Sequence, residues 1–164
     1  PFMMEPIPTT GGNGRHTIYN KNGADLVSRV SCDILYMDPP YNQRQYCTNY
    51  HVLETIAEYD NPKLSGVTGL RPYENQRSDF CVKGKALAAI EEMIVKTRAR
   101  YVFLSYNSEG IVSRADILSM MRWYGEVDVK SKRYPRFRAD TDGANRRYKA
   151  DNVNEYLFRL RKWS

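Results

Sequence analysis

A chain of 164 residues with 41% hydrophobic side chains is about one domain long and can bury a core, and its formal charge of +6 and pI near 9.2 point to a polyanionic partner without requiring one. Apolar runs of only a few residues fall short of the roughly 20 that span a bilayer, and no charged-then-apolar leader opens the sequence, so a soluble, cytoplasmic protein that engages no membrane is expected. Cys32, Cys47 and Cys81 are odd in number and far apart, which fits neither a disulfide framework nor a zinc site; reduced thiols and no bound metal are expected.

Residues 1–15 begin at Pro1 in place of methionine, which reads as a processed, cleaved or truncated product, and they run into "TTGGNGRH" (Thr9–His16) as a linker. "HTIYN" (His16–Asn20) is β-prone, and "GADLVSRV" (Gly23–Val30) sets Leu26, Val27 and Val30 at helical spacing. "DILYM" (Asp33–Met37) is a buried-strand candidate. Leu53, Ile56 and Ala57 share one side of a helix in "YHVLETIAEY" (Tyr50–Tyr59), stopped by "DNP" at Asp60–Pro62. Leu64 to Arg77 carries glycines and a proline without a sustained period and reads as an exposed connection. Ala86, Leu87, Ile90, Met93, Ile94 and Thr97 form a helical stripe. "RYVFLSYN" (Arg100–Asn107) is a strand, and "RADILSMMRWY" (Arg114–Tyr124) is a helix with Gly125 placed to end it. "EVDVKSKRY" (Glu126–Tyr134) and "NEYLFRLRK" (Asn154–Lys162) are the last two strands. The alternation implies an α/β sheet layered with helices.

In such sheets ligands bind beyond the carboxyl ends of the strands, and there the chain reads Asp38, Pro39, Pro40, Tyr41, Asn42. A turn that only reverses direction can use Gly, Asn or Asp. Two prolines instead fix φ at about −65° and remove N–H groups, leaving carbonyls as the backbone's polar offering. The Asp38 carboxylate and the Pro39 carbonyl are then two acceptors at a rigid spacing, with a flat face from Tyr41 and an amide from Asn42. That arrangement suits a planar ligand with an exocyclic amine, such as adenine. A plain structural turn is the alternative these residues leave open.

"DPPY" after an apolar strand resembles the catalytic motif of amino-group methyltransferases that use S-adenosylmethionine. "YNQRQYCTNYHVLETIAEYDNPKLSGVTGLR" (Tyr41–Arg71), "SYNSEGI" (Ser105–Ile111) and "YPRFR" (Tyr134–Arg138) resemble the catalytic part of bacterial adenine-N6-specific DNA methyltransferases of restriction–modification systems. The resemblance implies a Rossmann-like α/β fold, S-adenosylmethionine as cofactor, double-stranded DNA as substrate and a cognate restriction endonuclease as partner. It assigns catalysis to Asp38, Pro39, Pro40 and Tyr41, with the two acceptors drawing the amine toward tetrahedral geometry and Tyr41 stacking on a flipped-out base. Asn22, Gly23 and Ala24 match the positions that hold the cofactor's adenine, and Asp38 also adjoins the cofactor; Asn22 stands where aspartate is more usual, Asp25 can take its role, and an Asn-Gly turn with a helix cap is the other reading.

Asn42, Asn49, Tyr50 and His51 are candidate nucleic-acid contacts, although packing under the loop explains Asn49 and Tyr50 as readily, and a lone histidine in an amphipathic helix is more often structural. Arg133, Arg136, Arg138, Arg146 and Arg147 interleave with Tyr134, Phe137 and Tyr148, as a phosphate-gripping surface or a solvated hairpin would. The F-x-G-x-G-type loop that holds the cofactor's amino-acid end in these enzymes is not found, so the whole of residues 1–164 is expected to be a carboxyl-terminal catalytic portion, incomplete at its amino end, with recognition segments upstream. Some ribosomal-RNA guanine-N2 methyltransferases carry a similar tetrapeptide, and a non-catalytic nucleic-acid-binding remnant would keep the same residues; both stand as alternatives.

Overall fold

β-Branched and aromatic residues concentrate in four segments, and these form one sheet: β1 (Ile34–Met37), β2 (Tyr101–Asn107), β3 (Gly125–Pro135) and β4 (Asn152–Lys162), in the spatial order β1-β2-β4-β3. The computed structural model describes residues 14–135 and 152–163. β1 and β2 run parallel, with Ile34 opposite Tyr101 and Met37 opposite Leu104. β4 is antiparallel to both β2 and β3. A parallel pair needs a crossover, and it carries α2 (Tyr46–Asn49), α3 (His51–Glu58) and α4 (Ala86–Lys96); α1 (Gly23–Val27) precedes β1, and α5 (Arg114–Arg122) links β2 to β3. The result is the mixed α/β chain that the alternation of segments implies. No described helix is long and apolar enough to cross a membrane.

Side chains alternate across a strand. Met37, Val102, Leu104, Tyr106, Phe158 and Leu160 therefore share one face of the sheet, and Ala86, Ile90 and Ile94 of α4 and Ile117, Met120 and Met121 of α5 are buried with them in one cluster. The α4 stripe is the one expected. Burying each large aliphatic side chain contributes about 1.5–3 kcal/mol, so this cluster fixes where β1 and β2 end.

The opposite face has different chemistry. Arg159 pairs with Asp128 and Arg161 with Glu126 directly across β4 and β3, while Ile34 and Tyr36 of β1 are 55% and 60% exposed. "DILYM" is thus an edge strand open on one face, not a buried one, because among the described residues no strand lies outside it. "HTIYN" forms no strand and is exposed throughout; a β-prone pentapeptide without a neighbouring strand has no ladder for its N–H groups. Gly125 does not end α5, which stops at Arg122; it opens β3, where a Cβ would overlap the Arg161 carbonyl.

α3 forms where its periodicity places it and ends at left-handed Tyr59, φ 49°. Its apolar side faces outward, with Leu53 and Ile56 64% and 66% exposed. The connection after it is irregular, with Gly66 and Gly69 at positive φ. It is not wholly exposed, as expected from composition: Arg71 is buried and bonds Asp60 at 2.7 Å.

Candidate active site

Met37 is buried against the core, so the residue after it, Asp38, leaves the sheet at the carboxyl edge of a parallel pair. Asp38 is exposed, Pro39 buried, and Pro40 and Tyr41 partly buried: the prolines are pinned while the carboxylate stays at the surface. The loop is tied to "SYNSEGI" by the Ile111 N–H, which donates to the Tyr41 carbonyl at 2.9 Å. The Tyr41 ring meets Tyr106 edge to face, centroids 6.1 Å apart and planes at 74°. Tyr106 is itself buried, its hydroxyl accepting from the Val112 N–H at 3.3 Å and its ring closing on Gly110, where a Cβ would overlap it. Among the described residues no hydrogen bond engages the Asp38 carboxylate or the Pro39 carbonyl. Among these residues both acceptors are open.

The segment after the loop is equally constrained. Asn42 Oδ1 accepts from the Arg44 N–H at 2.8 Å, so half of its amide forms a turn. Gln45 is buried; its Oε1 accepts from the Ser78 N–H at 2.7 Å and its Nε2 donates to the Ser78 carbonyl at 3.1 Å. The Cys81 thiol, raised in pKa by burial, donates to the Arg44 carbonyl at 3.4 Å. Tyr46 and Tyr50 follow, edge to face at 5.7 Å and both exposed by about half. Asn49 is exposed, and His51, partly buried, opens α3.

Burial raises the Tyr41 phenol above its ordinary pKa, with further upward pressure from Glu155, Tyr46, Asp38 and Tyr50. Burial, then Asp38, raises Tyr46 in the same way. Asp38, Tyr41, Tyr46, Tyr50 and Glu155 thus occupy one neighbourhood. Sequence reasoning singled out neither Tyr46 nor Glu155. Tyr46 had a signal, a second aromatic close behind "DPPY", but Glu155 arrives only through the pairing of β4 with β2, where it stands opposite Asn107.

Asn22, Gly23 and Ala24 line a separate cleft of about 800 Å³. Phe80, Ala88, Ala89 and Glu92 face them across it, and Asp38 is not among its walls. Asn22 also caps α1, its Oδ1 accepting from the Ala24 N–H at 2.9 Å, so the cap reading holds and the residue remains at the cleft. An aromatic ring, two alanines, amide groups and a carboxylate fit the flat, amine-bearing base of an adenosine. Two small residues on the side of α4 away from its buried stripe were the available sign of this wall.

On β3, Arg133 is exposed, and Lys132 Nζ lies 4.8 Å from the centre of the Tyr134 ring. The candidates Arg136, Arg138, Arg146 and Arg147 lie outside the described residues.

Residues 6–120 match the family model for D12 class N6 adenine-specific DNA methyltransferase. The chain is 40% identical over 162 residues to the type II methyltransferase M.NlaIII of Neisseria lactamica, covering 99% of this chain and 48% of that protein. It is 37% identical over 147 residues to the type II methyltransferase M.FokI of Planomicrobium okeanokoites, covering 88% and 22%. With the type II methyltransferase M.CviAII of Paramecium bursaria Chlorella virus 1 it shares 35% identity over 159 residues, covering 96% and 45%. The chain therefore spans about half or less of the length of these relatives. No solved structure matches it.

Proposed function

Because the chain belongs to the D12 class N6 adenine-specific DNA methyltransferase family, we propose that it is the catalytic part of a site-specific enzyme that methylates N6 of a flipped-out adenine in double-stranded DNA. The enzyme works within a restriction–modification system in the cytoplasm, alongside a cognate endonuclease, as the naming of its relatives as type II methyltransferases suggests. The observation that carries this reading is the pair of acceptors, Asp38 and the Pro39 carbonyl, without a hydrogen-bond partner among the described residues, at the end of a strand whose loop is pinned on both sides. The parallel β1 and β2 with Asp38 at their carboxyl edge support a Rossmann-like arrangement.

An adenine amine is a poor nucleophile because its lone pair is delocalised into the ring. Asp38 and the Pro39 carbonyl each accept one N–H, which pulls the nitrogen toward tetrahedral geometry and localises the lone pair. The prolines keep the two acceptors from relaxing. Tyr41 stacks on the base and recovers part of the few kcal/mol that flipping costs. Asp38 is the group placed to receive the proton released. Asn22, Gly23, Ala24 and Phe80 would hold the adenosine end of S-adenosylmethionine, which would supply an electrophilic methyl. Other residues of the full-length protein would grip its methionyl end and complete the reading of the site. Arg133 and the basic residues that follow it hold phosphates.

Incubation of the full-length protein with S-adenosylmethionine and either DNA or ribosomal RNA, followed by nucleoside analysis, tests the reading. N6-methyladenine in DNA is expected; N2-methylguanine in RNA instead would contradict it.

A further inference from the structure

We propose that the pocket beside the catalytic loop, lined by Tyr46, Cys47, Tyr50, Glu54 and Gln76, reads a base next to the target adenine, and that it selects a base with an amine on its major-groove edge, cytosine or adenine. The inference rests on the methylation reading for its substrate class.

The pocket measures about 270 Å³, just under the range of drug-sized sites of about 300–1,000 Å³ and ample for one base. Two of its walls are tyrosines that the fold does not need for its core: Tyr46 is 51% and Tyr50 56% exposed. They hold each other edge to face, with planes at 82°, so a ring face remains available for stacking. Base stacking on aromatic side chains is worth about 1–3 kcal/mol and tolerates any base. Tyr46 and Tyr50 thus provide affinity, and selection has to come from the polar wall.

That wall is rich in acceptors. Gln76 Nε2 donates to Glu54 Oε1 at 3.3 Å, which leaves the second carboxylate oxygen of Glu54 and the amide oxygen of Gln76 for a ligand. Cytosine N4 and adenine N6 present donors in the major groove, whereas guanine O6 and thymine O4 present acceptors that a carboxylate repels. The wall is also fixed in place. Glu54 stands in the first turn of α3, and Gln76 ends a short 3-10 turn two residues before Ser78, which the buried Gln45 clamps.

The pocket adjoins the site of chemistry without being part of it. Asp38 and Tyr41 are not among its walls, yet Tyr46 follows Tyr41 through the short turn that the Asn42 and Gln45 side chains hold. Flipping the target adenine opens the stack on either side of it, so a flanking base is the next ring within reach.

The test is to express the full-length enzyme and its Glu54→Gln and Tyr50→Ala variants in a methylation-free bacterial host and to map N6-methyladenine across the DNA. For the wild type, cytosine or adenine is expected at one position adjoining the methylated adenine. Glu54→Gln should admit guanine or thymine there, because an amide also donates, with discrimination falling roughly tenfold or more. Tyr50→Ala should lower methylation at every site without changing the motif. A Glu54→Gln motif identical to that of the wild type overturns the inference, as does a wild-type motif with only guanine or thymine on both sides. Absence of N6-methyladenine from the wild-type sample overturns the methylation reading itself. Should Glu54→Gln fold poorly, kcat/KM of the purified wild type on duplexes carrying each of the four bases beside the target decides the matter, and equal values at both positions overturn the inference.

Discussion

The side-chain amide of Gln45 pairs twice with the backbone of Ser78, accepting from its N–H at 2.7 Å and donating to its carbonyl at 3.1 Å. This clamp joins the turn after the Asp38–Tyr41 loop to the segment that walls both the Asn22–Ala24 cleft and the Tyr46–Tyr50 pocket. Gln45→Ala would leave both Ser78 groups without their partner in a partly buried place. A loss of about 1–3 kcal/mol is expected in urea unfolding, and Gln45→Glu should do no better, since it sets an acceptor against the Ser78 carbonyl.

Gly110→Ala should act on catalysis from outside the site. The added methyl has to displace the buried Tyr106 ring, against which Tyr41 packs. Overpacking of this kind costs about 1–3 kcal/mol. The full-length variant is expected to melt earlier and to methylate more slowly at saturating DNA, a pairing that thermal unfolding and steady-state kinetics would reveal.

Under the proposed mechanism Tyr41 acts through its face more than its hydroxyl. Tyr41→Phe should keep substantial methylation and Tyr41→Ala should lose most of it. Equal losses in the two variants would assign the work to the hydroxyl.

Burial raises the Tyr106 phenol, and burial with nearby acidic groups raises Tyr41, above the ordinary value of 10.0. The folded state therefore keeps these protons at a pH where the unfolded chain has begun to lose them. The associated stability is present below the unfolded pKa and disappears as pH rises through the folded values. Denaturation midpoints measured between roughly pH 8 and 11 should fall at the alkaline end. Tyr106→Phe should be less stable at neutral pH, having lost the hydroxyl that accepts from the Val112 N–H, but its alkaline decline should be shallower.

The α4 stripe and the strand before Asp38 were legible because each is a local pattern: Ala86, Ile90 and Ile94 repeat at helical spacing, and the motif follows an apolar run directly. What failed depended on neighbours distant in sequence. "DILYM" reads the same whether one or both of its faces are covered, so the exposure of Ile34 and Tyr36 could not be seen. Gly125 suits a helix terminus as well as a strand start, and only its approach to the Arg161 carbonyl decides between them. At the candidate site, Asp38 and Tyr41 were singled out from four adjacent letters, and the structure sets that motif directly after β1. Glu155 and the Gln45–Ser78 clamp come from strand pairing and loop closure, which leave no periodic trace.

The most direct measurement is methyl transfer by full-length Asp38→Ala, with N6-methyladenine counted in the product DNA and folding checked by circular dichroism. Asp38 is exposed at a strand end and makes no hydrogen bond among the described residues, so its removal should leave melting unchanged. Removing one of the two amine acceptors should nonetheless abolish methylation. A folded Asp38→Ala enzyme that methylates at the wild-type rate would contradict the amine-acceptor mechanism.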